Sequence, residues 1–198
     1  MTKIIGLTGG IGSGKTTLAT YLKSLGIPVF IADDEAKKLM QSPEVVAEIQ
    51  TVFGTTIFEN GVLNRQQLAA IVFSNPEKLS QLNAIIHPAV KKQFGFWLDQ
   101  YQSEPFVVYE AAILFESGSY KNCDSIITIT APLEDRITRV MQRDNSTREQ
   151  VLHRINAQWT DEQRIAKSDF VIENSDAQQA KNSIDEILKI LKIQQNEG

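Results

Sequence analysis

The sequence predicts an α/β fold, a five-stranded parallel sheet covered by helices. Two observations lead there. Short apolar runs recur along the chain, at Lys3–Leu7, Pro28–Ile31, Phe106–Tyr109, Ser125–Thr130 and Phe170–Ile172, each of strand length and not amphipathic. Most are followed by a helical pattern, and strand–helix alternation is the signature of parallel pairing. With 198 residues, 42% of them hydrophobic, the chain can fill a sizeable core without staples.

The elements follow in order. The first run leads into "GLTGGIGSGKTT" (Gly6 to Thr17), and then "TTLATYLKSL" puts Leu18, Tyr21, Leu22 and Leu25 at helical spacing. After the second run, residues 33–101 contain no convincing strand. They read as helices over Asp33–Met40, Pro43–Phe53, Arg65–Phe73 and Pro76–Asp99. The last is expected to be interrupted near His87-Pro88, because proline removes a helical hydrogen bond. Gly54 and Glu59–Gly61 are breaks. Asn75 before Pro76 is a cap followed by a first-turn proline. Ser146 with Glu149, Thr160 with Gln163 and Ser175 with Gln178 have capping-box spacing. The final helix, about Asp176 to Ile193, carries Ile184, Ile187, Leu188 and Leu191 on one face for the sheet.

Gly9, Gly14, Lys15 and Thr16 match G-x-x-x-x-G-K-[ST], between a strand and a helix. The spacing has a physical reason. Glycines let backbone N–H groups close on phosphate oxygens, the lysine reaches the β- and γ-phosphates, and the hydroxyl coordinates Mg²⁺. The helix starting near Lys15 adds its positive end. The expectation sharpens to a three-layer P-loop NTPase fold binding ATP with Mg²⁺ through Gly10, Ile11, Gly12, Ser13, Gly14, Lys15, Thr16 and Thr17, the metal at Thr16.

Composition narrows the function. A net charge of −4 disfavours nucleic acid as the main partner. No run approaches the roughly 20 apolar residues that cross a bilayer. Lone Cys123 excludes an internal disulfide and suits a reducing, cytoplasmic setting. The guanine signature Asn-Lys-x-Asp and the Asp-x-x-Gly switch are absent, against a Ras-type switch. The third run ends in Glu110, not the Asp of a Walker-B strand, against a motor ATPase.

Two features favour phosphoryl transfer. Asp33 follows the second run, where a parallel sheet presents residues to its ligand crevice; it can serve an acceptor hydroxyl as base or cap the next helix, with Asp34 and Glu35 as rivals. Six of the seven arginines fall between Arg136 and Arg164. In a helix over Pro132–Asp144, Arg139 and Arg143 share a face, with Arg136 three residues earlier. Such a row can clamp a triphosphate, and "RDNSTRE" reads as the turn of a small helical lid that keeps water out.

At this point the sequence resembles the dephospho-CoA kinase family. The resemblance rests on "IGLTGGIGSGKTT", "IADDEAK", "LNAIIHPAV", "EAAILFESG", "RVMQRDNSTREQVLHRINAQ" and "SDFVIENS", in family order over nearly the whole chain. It implies phosphorylation of the ribose 3′-hydroxyl of dephospho-CoA by ATP, giving CoA and ADP. It implies a core of residues 1–32, 102–135 and 165–198, a helical substrate-binding insertion over 33–101 and a lid over about 136–164. It makes Asp33 the base, has Lys15, Arg139 and Arg143 neutralise the transferred charge, and puts Thr8, His87 and Glu110 on the acceptor side, with Glu116 an acceptor-side or metal-shell group. The first acid of the family's Asp-Ala-Asp is Ile31 here, and Ala111-Ala112-Ile113 stand where the family usually has a proline. Small molecules are the expected partners of a monomer or small homo-oligomer. Two rivals remain: another small-molecule or nucleoside monophosphate kinase, and a nucleotide-binding regulator without transfer activity.

Overall fold

A computed structural model describes residues 2–59 and 61–196. Its Cα packing divides the chain into two units, residues 1–31 with 101–198, and 32–100.

The first unit is built on a five-stranded parallel sheet. Its strands are β1 (Lys3–Gly9), β2 (Val29–Ile31), β5 (Phe106–Glu110), β6 (Ser125–Thr130) and β7 (Phe170–Glu173), in spatial order β2-β5-β1-β6-β7. β1 is central, with Leu7 opposite Glu110 on one side and Ile127 on the other. Side chains alternate across a strand. Ile5 and Leu7, Phe106 and Val108, Ile127 and Ile129, and Ile172 all enter one buried cluster with Leu18 and Leu22 of α1 (Lys15–Ser24) and Ile184, Leu188 and Leu191 of α9 (Ala177–Asn196). The last-helix stripe is therefore core, as its spacing predicts. Leu25, on the same predicted face of α1, is exposed, because it lies past the last helical residue. On the opposite face of the sheet, a Cβ at Gly6 would lie 2.9 Å from Leu114 Cδ2 and 3.0 Å from Cys123 Sγ. Burial there pushes the Cys123 thiol up to about 12, with Asp124 adding to the effect, so at neutral pH it stays protonated and unreactive.

The helices α6 (Leu133–Asp144), α7 (Arg148–Asn156) and α8 (Asp161–Ile165) lie between β6 and β7. Ile137, Val140 and Val151 form a small separate core, with Ile11 packed against it.

In the second unit, α2 (Ala32–Leu39), α3 (Pro43–Phe53) and α4 (Arg65–Phe73) pack against α5 (Pro76–Leu98). Two local expectations are corrected in this unit. The helix through His87-Pro88 is continuous. Pro88 lacks the N–H that would reach Ala84, but Ile85, Ile86, Val90 and Phe94 are buried on both sides of it, and that packing holds the two halves together. A two-stranded antiparallel hairpin, β3 (Phe58–Glu59) with β4 (Val62–Leu63), occupies a stretch read as strandless; two residues per strand leave no periodicity to read. The Glu59–Gly61 break includes residue 60, outside the described residues.

The capping box before α7 uses Thr147 with Gln150, not Ser146 with Glu149. Asn145, left-handed at φ 51°, ends α6, and α7 starts one residue later than the spacing suggested. Thr160 with Gln163 and Asn75 before Pro76 cap as predicted. At α9, Asp176 Oδ1 accepts from Gln179 N at 2.8 Å, taking the role assigned to Ser175.

Candidate active site

Gly9 is the last residue of β1 and Lys15 the first of α1, so residues 10–14 span the turn at the carboxyl edge of the sheet. Ser13 N donates to Gly10 O at 3.1 Å and Thr17 N to Gly14 O at 3.1 Å. Gly14 has φ +96°, and a Cβ on it would come within 2.0 Å of Asn174 Nδ2. That amide in turn donates to Ser13 O at 2.8 Å. The loop therefore closes against the residue that follows β7, and only glycine fits at position 14.

Lys15 is buried, and its ammonium donates to Gly9 O at 2.8 Å. Thr16 and Thr17 are exposed on the first turn of α1, the positive end of that helix's dipole. Thr8 Oγ1 and Ser13 Oγ are buried without a hydrogen-bond partner. Buried hydroxyls are normally satisfied, and a loop bearing unsatisfied donors beside an ammonium suits an anion.

The three arginines of α6 behave differently. Arg139 joins the loop to the strand beyond it, with Nη2 on Asn174 O at 2.9 Å and Nη1 on Gly12 O at 3.4 Å. Arg136 is buried, and its Nε donates to Ile11 O at 3.0 Å. Arg143 is exposed and donates to both Asp144 oxygens, at 2.7 and 3.1 Å. Asp144 also accepts from Arg154 at 2.6 Å. These hydrogen bonds, Arg143's first, hold the Asp144 carboxyl well below the usual range.

Of the residues predicted from sequence, Gly10 to Thr17, Lys15 and Arg139 come together around this loop. Ile11 has its N–H taken by Gln158 Oε1 at 2.9 Å, so this N–H is directed at the protein. Glu110 is buried at the carboxyl end of β5, between Leu7 and Ile31 in register. Glu116 accepts from Trp159 N at 3.0 Å. Asp33 lies two residues beyond β2, in the first turn of α2 and partly exposed. His87 is half-buried inside α5, and burial lowers its pKa. Burial favours its neutral form, so stability is expected to fall as pH drops below the ordinary histidine value of about 6.5. His87→Gln should reduce that acid-side loss, as measured by urea midpoints across pH.

Sequence reading passed over Gln158 and Asn174 as loop-holding residues, because each is far from the loop in the chain. It saw Arg136 only as a member of a row. Its burial is invisible to helical spacing, which put Arg139 and Arg143 on the productive face.

The sequence matches the dephospho-CoA kinase family over residues 3–180. A dephospho-CoA kinase of Fusobacterium nucleatum is 42% identical over 173 residues, covering 87% of this chain and 89% of the relative. One of Bacteroides fragilis is 40% identical over 171 residues, covering 86% and 83%. Among solved structures, the dephospho-CoA kinase of Campylobacter jejuni is 28% identical with a TM-score of 0.70, covering 97% of this chain and 98% of that one. The match takes in the phosphate loop, the helical second unit and the arginine-bearing helices alike, and by it this chain belongs to the dephospho-CoA kinase family.

Proposed function

We propose that this protein transfers the γ-phosphoryl group of ATP to the ribose 3′-hydroxyl of dephospho-CoA, giving CoA and ADP. The observation that carries the reading is the family match over residues 3–180, which spans the donor loop and the helical unit together. The 3′-oxygen forms a bond to Pγ while the bond from Pγ to the β–γ bridging oxygen breaks, and the hydroxyl proton passes to a carboxylate. ADP leaves with the electron pair of the broken bond.

In this reading the turn over residues 10–14 and the first turn of α1 seat the triphosphate. Lys15 exchanges loop carbonyls for phosphate oxygens, and Arg139 supports the loop from α6. Arg143 has its hydrogen bonds on Asp144 and can exchange that carboxylate for phosphate as charge develops. Asp33 takes the hydroxyl proton. Residues 33–101, with His87, hold the acceptor, and Thr8 and Glu110 support its side of the sheet edge.

The donor set fits Mg²⁺. Among the described residues no three His, Cys, Asp or Glu side chains cluster, and an ion that keeps its waters and phosphate ligands needs only a hydroxyl such as Thr16. When bound, Mg²⁺ would offset negative charge on the β- and γ-phosphates. No helix among the described residues is long and apolar enough to cross a membrane. With Cys123 as the single thiol, a cytoplasmic location is proposed.

The test is ADP release from Mg·ATP with dephospho-CoA, AMP, other nucleoside monophosphates or no acceptor. ADP formation that requires dephospho-CoA and yields CoA is expected. Activity only with a monophosphate would make the chain a nucleotide kinase, and binding without turnover would make it a regulator.

Arg143→Ala is expected to lower kcat far more than it lowers the melting temperature, since exposed ion pairs contribute little stability. Normal turnover with a large fall in melting temperature would make Arg143 structural.

A further inference from the structure

Beside the phosphate loop lies a charge cluster in which two buried guanidiniums meet two partly exposed carboxylates. Arg136 Nη1 donates to Asp161 Oδ2 at 2.9 Å, while its Nε donates to Ile11 O. The other oxygen, Asp161 Oδ1, accepts from Arg164 Nη1 at 3.2 Å, and Arg164 Nη2 reaches Glu116 Oε1 at 3.4 Å. Arg164 is fully buried and Arg136 nearly so. Two guanidiniums and two carboxylates leave the cluster neutral, which is how buried charges persist.

The geometry at the loop is specific. A Cβ on Gly10 would lie 2.1 Å from Arg136 Nη2, and one on Gly12 would lie 2.6 Å from the Arg136 backbone oxygen. Arg136 thus fills the space that side chains would take on the outer half of the loop, with its guanidinium at Gly10 and its backbone at Gly12. Ile11 has both backbone polar groups held, its N–H by Gln158 and its carbonyl by Arg136. A buried ion pair adds little net stability over an apolar pair of equal volume. It does fix the direction of a planar fork.

We propose that Asp161 is a positioning residue for nucleoside triphosphate binding. It orients Arg136, and Arg136 pins the Gly10–Gly12 segment in the shape that accepts phosphates. Neither residue need touch the reacting atoms. The inference rests on the reading of the loop as the ATP loop.

The experiment measures Mg·ADP affinity by calorimetry, well below the melting temperature, for wild type, Arg136→Gln, Arg136→Lys, Asp161→Asn and the double variant R136Q/D161N. Hydrogen exchange of amides 10–14 is followed in parallel. Binding is expected to weaken about tenfold or more in each single variant, the size expected for a hydrogen bond to a charged group. Arg136→Lys should fail to rescue, because one ammonium cannot span Ile11 O and Asp161 together. The double variant should be no weaker than the weaker single, since both changes break one linkage. Exchange at the loop should quicken.

Wild-type affinity in folded Arg136→Gln, or losses that multiply in the double variant, would overturn the proposal. A melting temperature that falls while affinity and loop exchange stay unchanged would make the cluster purely structural. If Asp161→Asn does not fold, Arg136→Gln, which leaves the Asp161–Arg164 pair in place, decides alone. Failure of wild type to bind Mg·ADP would instead defeat the ATP-loop reading.

Discussion

Asp33→Asn is expected to lower kcat by about 10²–10⁴ and to leave ATP affinity little changed. The amide keeps the size and hydrogen-bonding reach of the carboxylate but cannot take a proton at neutral pH. If Asp33 is the base, the loss must appear in kcat with dephospho-CoA and not in the dissociation constant of ATP. If Asp33 is instead only a polar residue in the first turn of α2, asparagine caps or decorates that turn nearly as well, and kcat will hold. Asp34 and Glu35 make good controls. Asp34 pairs with Lys37 at 2.9 Å and Glu35 with Lys38 at 2.6 Å, so each carboxylate already has a partner one turn on. A rate loss confined to Asp33 identifies the base; a loss on Asp34→Asn instead would shift the role by one residue.

The second large effect is on the fold. Gly9→Ala is expected to cost about 4 kcal/mol of stability, from backbone strain and overpacking together. Gly9 has φ +152°, and a Cβ there would stand 2.2 Å from the Ile129 carbonyl oxygen and 2.7 Å from Ser13 Oγ. Ile129 belongs to β6, the neighbour of β1, and Gly9 faces it in register. A strand cannot step aside as a flexible side chain can, so the clash forces β1 and β6 apart. The melting temperature should drop by about 10 °C, with nucleotide binding lost as well. A variant with an unchanged melting temperature would show that the β1–β6 spacing is softer than its hydrogen bonding implies.

The sheet was legible because each of its strands is a compact apolar run, and Ser125–Thr130 agrees with the observed strand to the residue. The phosphate loop was legible because its chemistry is local; Gly9 to Thr16 carry it in eight consecutive positions. What could not be read was every contact made at long range. Asn174 meets Ser13 across 161 positions, and Gln158 meets Ile11 across 147; no periodicity encodes such a meeting. The arginine row shows the same limit from the other side. Helical spacing correctly put Arg136, Arg139 and Arg143 on one helix, but burial by neighbouring elements turned Arg136 inward to Asp161 and left Arg143 outward on Asp144. The uninterrupted α5 reflects packing overriding a local rule, since Pro88 alone argues for a break.

The order of the strands bears on how the chain is made. β1 leaves the ribosome before the other four strands of its sheet, yet its partners are β5 and β6, so Lys3 waits for Phe106 and Ile5 for Ser125. The helical unit of residues 32–100 contains its own packing, α2, α3 and α4 against α5, and those contacts can form while β1 still lacks both neighbours. Pairing at such sequence separation is slow, and an unpaired apolar strand is exposed to aggregation meanwhile. A nascent chain stalled before Phe106 is therefore expected to hold a protected helical unit and an unprotected phosphate loop, and nucleotide will protect the loop only once Asn174, which holds Ser13, has emerged.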